Sequence, residues 1–330
     1  MRLGLDIGGT KTDAVVLDPD GAVLKRLRLP TGFGPEAVVA SAVTAIENIA
    51  DASGIDFESI GIGIPGMIDE GTGIVRHAVN LGFESLDLGA ALAERLGVRV
   101  KVENDVKSAA VGAYHLLELQ HPMAYLNLGT GLSAGIVING ALWRGARGTA
   151  GEIGHIPIDP AGALCPCGQR GCLETVASGS GITRQWPSDA EYPALELFEA
   201  ATAGDERATA VVDALTRGVA SAVRTLILTA DVETVVIGGG LSHLGEPLFA
   251  GVRRVLQDWA RYSPFLASLS LPTRVRVLPD GMPAAAVGAA LIGVDHSEVS
   301  LNGRSGYRRL ADRGRRDRRR QDSGARGGAP

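Results

Sequence analysis

Residues 3–17 read Leu-Gly-Leu-Asp-Ile-Gly-Gly-Thr-Lys-Thr-Asp-Ala-Val-Val-Leu. Leu3–Ile7 has the apolar pattern of a buried strand, and the glycine pair that follows leads back into a second apolar run at 13–17 rather than into a helix. The spacing therefore predicts a hairpin. It excludes a Walker loop, which needs GxxxxGK[ST] before a helix, and a GxGxxG dinucleotide turn. Pro19-Asp20-Gly21 is a turn signal and residues 23–29 alternate again, so the hairpin extends into a three-stranded meander.

Outward from this meander, helical periodicity covers 35–52, 87–96 and 105–119, with strands expected at 60–64 and 98–102. A second set begins at 124–128, turns at Gly129-Thr130-Gly131, returns at 134–138 and turns again at Asn139-Gly140. Helices follow at 205–229, 246–260 and 284–292, with strands at 232–237 and 273–278. Strands alternating with helices predict an α/β fold, and the repeated plan suggests an internal duplication. The expected organisation is a lobe over 1–118, a second lobe over 119–300 whose helix near 284–293 packs back on the first, and a disordered arginine-rich tail over 301–330.

The chain has 330 residues, 45% apolar and 21% charged, which are soluble-globular values. Its net charge is -5, but residues 304–330 carry ten arginines against three aspartates, a net +7, leaving -12 on residues 1–303. An acidic body gives no general reason to bind nucleic acid, and the tail is read as a solvated end rather than a nucleic-acid arm. Aromatics at 4% argue against base-stacking platforms. Neither a leader nor a membrane span is expected, since glycine and aspartate break the apolar runs. The three cysteines all fall within 165–172, which points to a metal site and a reducing, cytoplasmic setting rather than a disulfide framework.

Four segments carry chemistry. Asp6, Gly8, Gly9, Thr10 and Lys11 combine an acid at a strand end with backbone able to approach a polyphosphate; Asp6 is a candidate Mg²⁺ holder. Gly129, Thr130 and Gly131 repeat the device, with the Ser133 hydroxyl beside them, and Gly238-Gly239-Gly240 is assigned to the adenine–ribose end of a nucleotide. Glu103-Asn104-Asp105 ends a strand with an acid suited to general-base work, though either Asn104 or Asp105 would also cap the helix that follows. Lys101 and Lys107 are read as surface or ion-pair residues. His155, Cys165, Cys167 and Cys172 supply three thiolates and an imidazole, a structural Zn²⁺ set, with Glu152 and Glu174 flanking it as acceptors for a polyhydroxylated substrate.

These segments resemble the ROK family of repressors, open reading frames and sugar kinases, over roughly residues 3–293. Asp6–Lys11, Gly63-Ile64-Pro65-Gly66, Glu103–Asp105 and Gly129–Gly131 each match a family motif, and Gly151–His155 followed by Cys165–Glu174 matches its signature closely. Leu132-Ser133-Ala134-Gly135 departs from the glycines found there in many family glucokinases, and the tail lies outside the pattern. The resemblance implies a two-lobed actin/hexokinase-like (ribonuclease H-like) ATPase fold with a cleft that closes on substrate. It also implies an ATP-dependent hexokinase, foremost a glucokinase in carbohydrate metabolism and glycolysis. Asp105 would be the base, and Gly66, Asn80, Asn104, Glu152, His155 and Glu174 would lie around the sugar; Met67, His77 and Phe83 could shape the pocket at C2. An N-acetylmannosamine or N-acetylglucosamine kinase is the alternative, and a sugar-responsive regulator the non-enzymatic one. A homodimer or homotetramer is expected. With the first motif starting at Leu3, no DNA-binding domain is expected.

Overall fold

The computed structural model describes residues 1–294 except Ile55, Asp56, Glu70 and Val98. The tail expected to be disordered lies outside the described residues. The chain divides into two compact units, Met1–Gly112 with the segment from Pro283, and Ala113–Met282.

In the first unit β1 (Arg2–Ile7), β2 (Lys11–Leu17) and β3 (Val23–Pro30) form the meander. Helix α1 (Pro35–Ser53) follows, opened by Pro35 and closed by Gly54 in the left-handed conformation. Next come β4 (Ser59–Ile64), the short strands β5 (Met67–Asp69), β6 (Ile74–Ala78) and β7 (Phe83–Asp87), then α2 (Leu88–Leu96), β8 (Lys101–Asn104) and α3 (Asp105–Leu116). The main sheet has the order β3-β2-β1-β4-β8, antiparallel through the meander and parallel beyond it. Leu3, Leu5 and Ile7 on one face pack with Val38, Ala42 and Ile46 of α1 into a core that also holds Ile62, Leu81 and Phe83.

In the second unit β9 (Met123–Leu128), β10 (Leu132–Ile138) and β11 (Ala141–Leu142) precede a long irregular stretch. Helices α4 (Gly179–Gln185), α5 (Pro193–Thr202) and α6 (Glu206–Ala230) follow, then β12 (Thr234–Gly238), α7 (Glu246–Tyr262), α8 (Pro264–Ser268) and β13 (Val275–Val277). Its sheet, β11-β10-β9-β12-β13, repeats the first plan, three antiparallel strands and then two parallel ones. The fold is α/β with mixed sheets, as in the actin/hexokinase-like group.

Helix α9 (Ala284–Ile292) packs on β1 and β4 of the first unit. Small residues allow this contact: a methyl group at Gly61 would fall 1.8 Å from the Ala289 carbonyl oxygen, far inside van der Waals range. Among the described residues no helix is long and apolar enough to cross a membrane.

Candidate functional site

Pairing of β8 with β4 puts Asn104 opposite Ile64 as the last strand residue, and Asp105 opens α3. The strand thus lies nearer the acid than the 98–102 expected from the apolar run. Asn104 ties three segments together. Its Oδ1 accepts from the Lys107 backbone N–H at 3.1 Å, capping α3, while its Nδ2 donates to the Gly66 carbonyl at 3.2 Å and to Asp105 Oδ1 at 3.0 Å. Asp105 Oδ1 also accepts from Val106 N–H at 2.9 Å. Capping and positioning of the acid are therefore one arrangement. Lys107, read as a surface or local ion-pair residue, is not on the surface: it is buried at 7% exposure. The aliphatic stem of a lysine packs readily in an interior when its ammonium is satisfied.

Asp6 stands on the same sheet, one strand beyond β4. Burial, then the carboxylates of Asp105 and Asp13, push its pKa up to about 8. Closely set carboxylates that resist ionising together are the donor set a hard divalent cation seeks. Beyond Asp6 the turn closes with Gly8 N–H donating to the Lys11 carbonyl at 2.9 Å and leaves Gly9, Thr10 and Lys11 exposed. Asn80 borders this turn: its carbonyl oxygen is 3.3 Å from where a Cβ on Gly9 would stand. Of the residues proposed for the C2 pocket, Met67 is exposed and His77 pairs with Glu84, but Phe83 is a core side chain.

In the second unit the two other glycine turns meet. Asn127, at the end of β9, was not singled out in the sequence. A Cβ on Gly239 would stand 2.6 Å from its Oδ1, and one on Gly129 would stand 3.0 Å from its Nδ2. Gly239, with φ of 89°, adopts a backbone that side-chain-bearing residues rarely do. Ser133 is opposite Asn127 in the β9–β10 pairing. The Gly129–Gly131 turn also accepts two hydrogen bonds from the start of α4, Gly179 N–H to the Gly129 carbonyl at 2.8 Å and Ser180 N–H to the Thr130 carbonyl at 3.0 Å. Glu174 Oε2 lies 3.3 Å from the Cβ position of Gly131.

Glu174 joins this turn to the cysteine cluster, since its Oε1 accepts from Cys165 Sγ at 3.2 Å and lies 3.6 Å from His155 Nδ1. The ligand atoms of His155, Cys165, Cys167 and Cys172 all lie within 4.8 Å of one another. Cys167 and Cys172 Sγ are 3.6 Å apart, and Cys165 Sγ is 3.8 Å from His155 Nδ1. Tetrahedral Zn–S bonds of about 2.3 Å need sulfur atoms roughly 3.8 Å apart, so the four side chains are set to chelate a metal. Hydrogen bonds from the backbone and side chain of Gln169 bring the Cys167 thiol down to about 6, whereas burial pushes Cys165 up to about 12. His155 ends a short 3₁₀ turn, Ile153–His155, and Glu152 just before it is exposed.

The model of the ROK family matches residues 2–295. The chain belongs to the ROK family. A glucokinase of Halalkalibacterium halodurans is 34% identical over 287 residues, covering 78% of this chain and 86% of that protein. An N-acetylmannosamine kinase of Haemophilus influenzae is 34% identical over 264 residues, with the same two shares. Among solved structures, a ROK family glucokinase from Streptomyces griseus in complex with glucose and AMPPNP superposes with a TM-score of 0.71 at 31% identity, covering 88% of this chain and 98% of that one. This ROK chain is a sugar kinase, a phosphotransferase enzyme.

Proposed function

We propose that the protein is a glucokinase, transferring the γ-phosphoryl group of ATP to the 6-hydroxyl of glucose. What carries the phosphoryl-transfer part of this reading is the fixed carboxylate of Asp105, held through Oδ1 by Asn104 and the Val106 N–H at the first turn of α3; the glucose part rests on the likeness to glucokinases. Asp105 accepts the hydroxyl proton as the sugar oxygen bonds to the γ-phosphorus and the bond to the β,γ-bridging oxygen breaks, releasing ADP. Asn104, Gly66, Asn80, Glu152, His155 and Glu174 hold the sugar hydroxyls. The turns at Gly8–Lys11 and Gly129–Gly131, with Ser133, donate to the phosphates, and Gly238–Gly240 carries the adenosine. Asp6 would hold Mg²⁺, which would supply charge neutralisation to the nucleotide's phosphates. The four-ligand cluster would hold a structural Zn²⁺ that fixes the ring of His155.

The relatives support the class of substrate: the glucokinase and the N-acetylmannosamine kinase are equally identical to this chain. Phosphorylation of a hexose or an N-acetylhexosamine by ATP is therefore the common ground, and an N-acetylhexosamine kinase is the second reading. The test is a screen of glucose, mannose, fructose, N-acetylmannosamine and N-acetylglucosamine with ATP and with polyphosphate as donors. The highest kcat/KM for glucose with ATP is expected. A preference for either N-acetyl sugar would replace the first reading with the second. Light scattering would test the expected homodimer or homotetramer.

A further inference from the structure

One row of the first unit's sheet carries an unusual set of charges. The register places Asp6 of β1 opposite Asp13 of β2, and Asp13 opposite Arg28 of β3. Directly opposed residues share a face, and Arg26, two positions before Arg28, shares it too. Asp13 is occupied on both oxygens. Its Oδ1 accepts from Arg26 Nε at 2.8 Å, and its Oδ2 accepts from Arg26 Nη2 and, at 2.8 Å, from Arg28 Nη2. The Asp13 side chain is only 12% exposed, whereas that of Arg28 is 53% exposed. The arginine is thus drawn inward from an edge strand. Charged side chains such as Lys25, Arg26 and Arg28 serve such an edge by blocking pairing with another chain. They also bring two guanidinium groups near a carboxylate that the phosphate turn needs, for Asp6 lies in the field of both.

We propose that Asp13 is a positioning residue that holds Arg26 and Arg28 off Asp6, leaving the Asp6 carboxylate open to the divalent cation that accompanies the nucleotide. The proposal rests on the reading of Asp6 as the cation-holding carboxylate. The bidentate fork of Arg26 and the single donor from Arg28 occupy both oxygens of Asp13, which anchors the two guanidinium groups at the β2 position of the row. Facing side chains on adjacent strands start only about 5 Å apart, so with Asp13 neutralised Asp6 is the next carboxylate along the row. A guanidinium paired with Asp6 would compete with the cation for the same oxygens.

The experiment measures binding of Mn²⁺ in the presence of AMP-PNP, by electron paramagnetic resonance of free Mn²⁺, on proteins whose folding is checked by circular dichroism. Asp13→Asn should weaken Mn²⁺ binding by at least about tenfold, the scale of one charge-assisted hydrogen bond. The triple variant D13N/R26Q/R28Q, which has no guanidinium to capture Asp6, should restore binding to within about threefold of wild type, since a network neutralised on both sides is nearly neutral in effect. A residue that merely supported the fold would leave the triple variant as weak as D13N or weaker. That result, or unaltered binding in D13N, overturns the proposal. Where D13N does not fold, Asp13→Ser takes its place: binding that is weak in D13S and restored in D13S/R26Q/R28Q supports the proposal, and equal binding in the two overturns it. Asp6→Asn separates the two readings. If D6N binds Mn²⁺ as wild type does, the reading of Asp6 is wrong; if D6N loses Mn²⁺ and D13N does not, the role given to Asp13 alone is wrong.

Discussion

A carboxylate that accepts a proton in catalysis must be held still while remaining basic, and Asp105 is held through Oδ1 by a side-chain amide and a backbone N–H. Asp105→Asn keeps the size and most of the hydrogen bonding but cannot take the proton. It should lower kcat by at least about 10²-fold with sugar binding little changed, the usual worth of a general base; retention of more than half the kcat would remove Asp105 from that role. Asp6 gives a separate test through stability. Its pKa is raised from 3.8 to about 8 in the folded protein. A group raised in this way favours folding while it is protonated in both states, below about pH 3.8, and that advantage is lost as the pH rises through about 8. Asp6→Asn removes the penalty. The variant should therefore melt above wild type at pH 8 and match it near pH 3, as scanning calorimetry across that range would show. A stabilised but inactive variant is the usual signature of a strained functional site.

Among the elements, those with strong apolar periodicity were legible in the sequence: 246–260 became Glu246–Tyr262 and 205–229 became Glu206–Ala230. The three-stranded sheet β5-β6-β7 was not, because its strands have three to five residues, show little alternation and are punctuated by Gly66, Gly71, Gly73 and Gly82. Helix α4 was hidden by its composition, Gly-Ser-Gly-Ile-Thr-Arg-Gln, which has poor helix propensity and forms because Ser178 caps Gly181 N–H and tertiary contacts hold the first turn. The metal cluster was legible because its spacing is local, whereas Asn127 was missed because nothing in the sequence links it to Gly239. The contact of α9 with the sheet depends on bare backbone at Gly61, so Gly61→Ala should cost about 3 kcal/mol, the upper range for overpacking. That corresponds to a Tm lower by roughly 6–12 °C, readable by thermal melting. Cys167→Ala should remove the metal, which elemental analysis puts at about one zinc per chain in wild type if all four ligands bind one ion. Because metal binding is coupled to local folding, the same variant should show a raised sugar KM with ATP KM less affected. Metal-free protein with undiminished sugar affinity would sink the reading of the cluster.

At the scale of the whole molecule, the two sheets repeat one topology but differ at the end of their first strand. In the first sheet Asp6 pairs with Gly63 across the parallel neighbour, and in the second Asn127 pairs with Gly238 at the matching place. An acid and its uncharged counterpart thus occupy equivalent positions, and the difference fits the ligands proposed for each. A carboxylate beside a cation is favourable, whereas a carboxylate between two glycine turns proposed to receive phosphate and adenosine would meet like charge. Asn127 also bridges those turns, with its amide against Gly129 on one side and Gly239 on the other. Asn127→Asp keeps the shape, so packing should survive and Tm should fall little. The added charge should raise KM for ATP by about tenfold or more, since a single repulsive contact in a partly buried site is worth at least about one pKa unit, or 1.4 kcal/mol. KM for the sugar should stay within about twofold, because the substitution leaves Asn104, Asp105 and Glu174 untouched. Steady-state kinetics with each substrate varied in turn would read both constants. A change in sugar KM larger than that in ATP KM would mean that the turns around Asn127 serve the sugar and not the nucleotide.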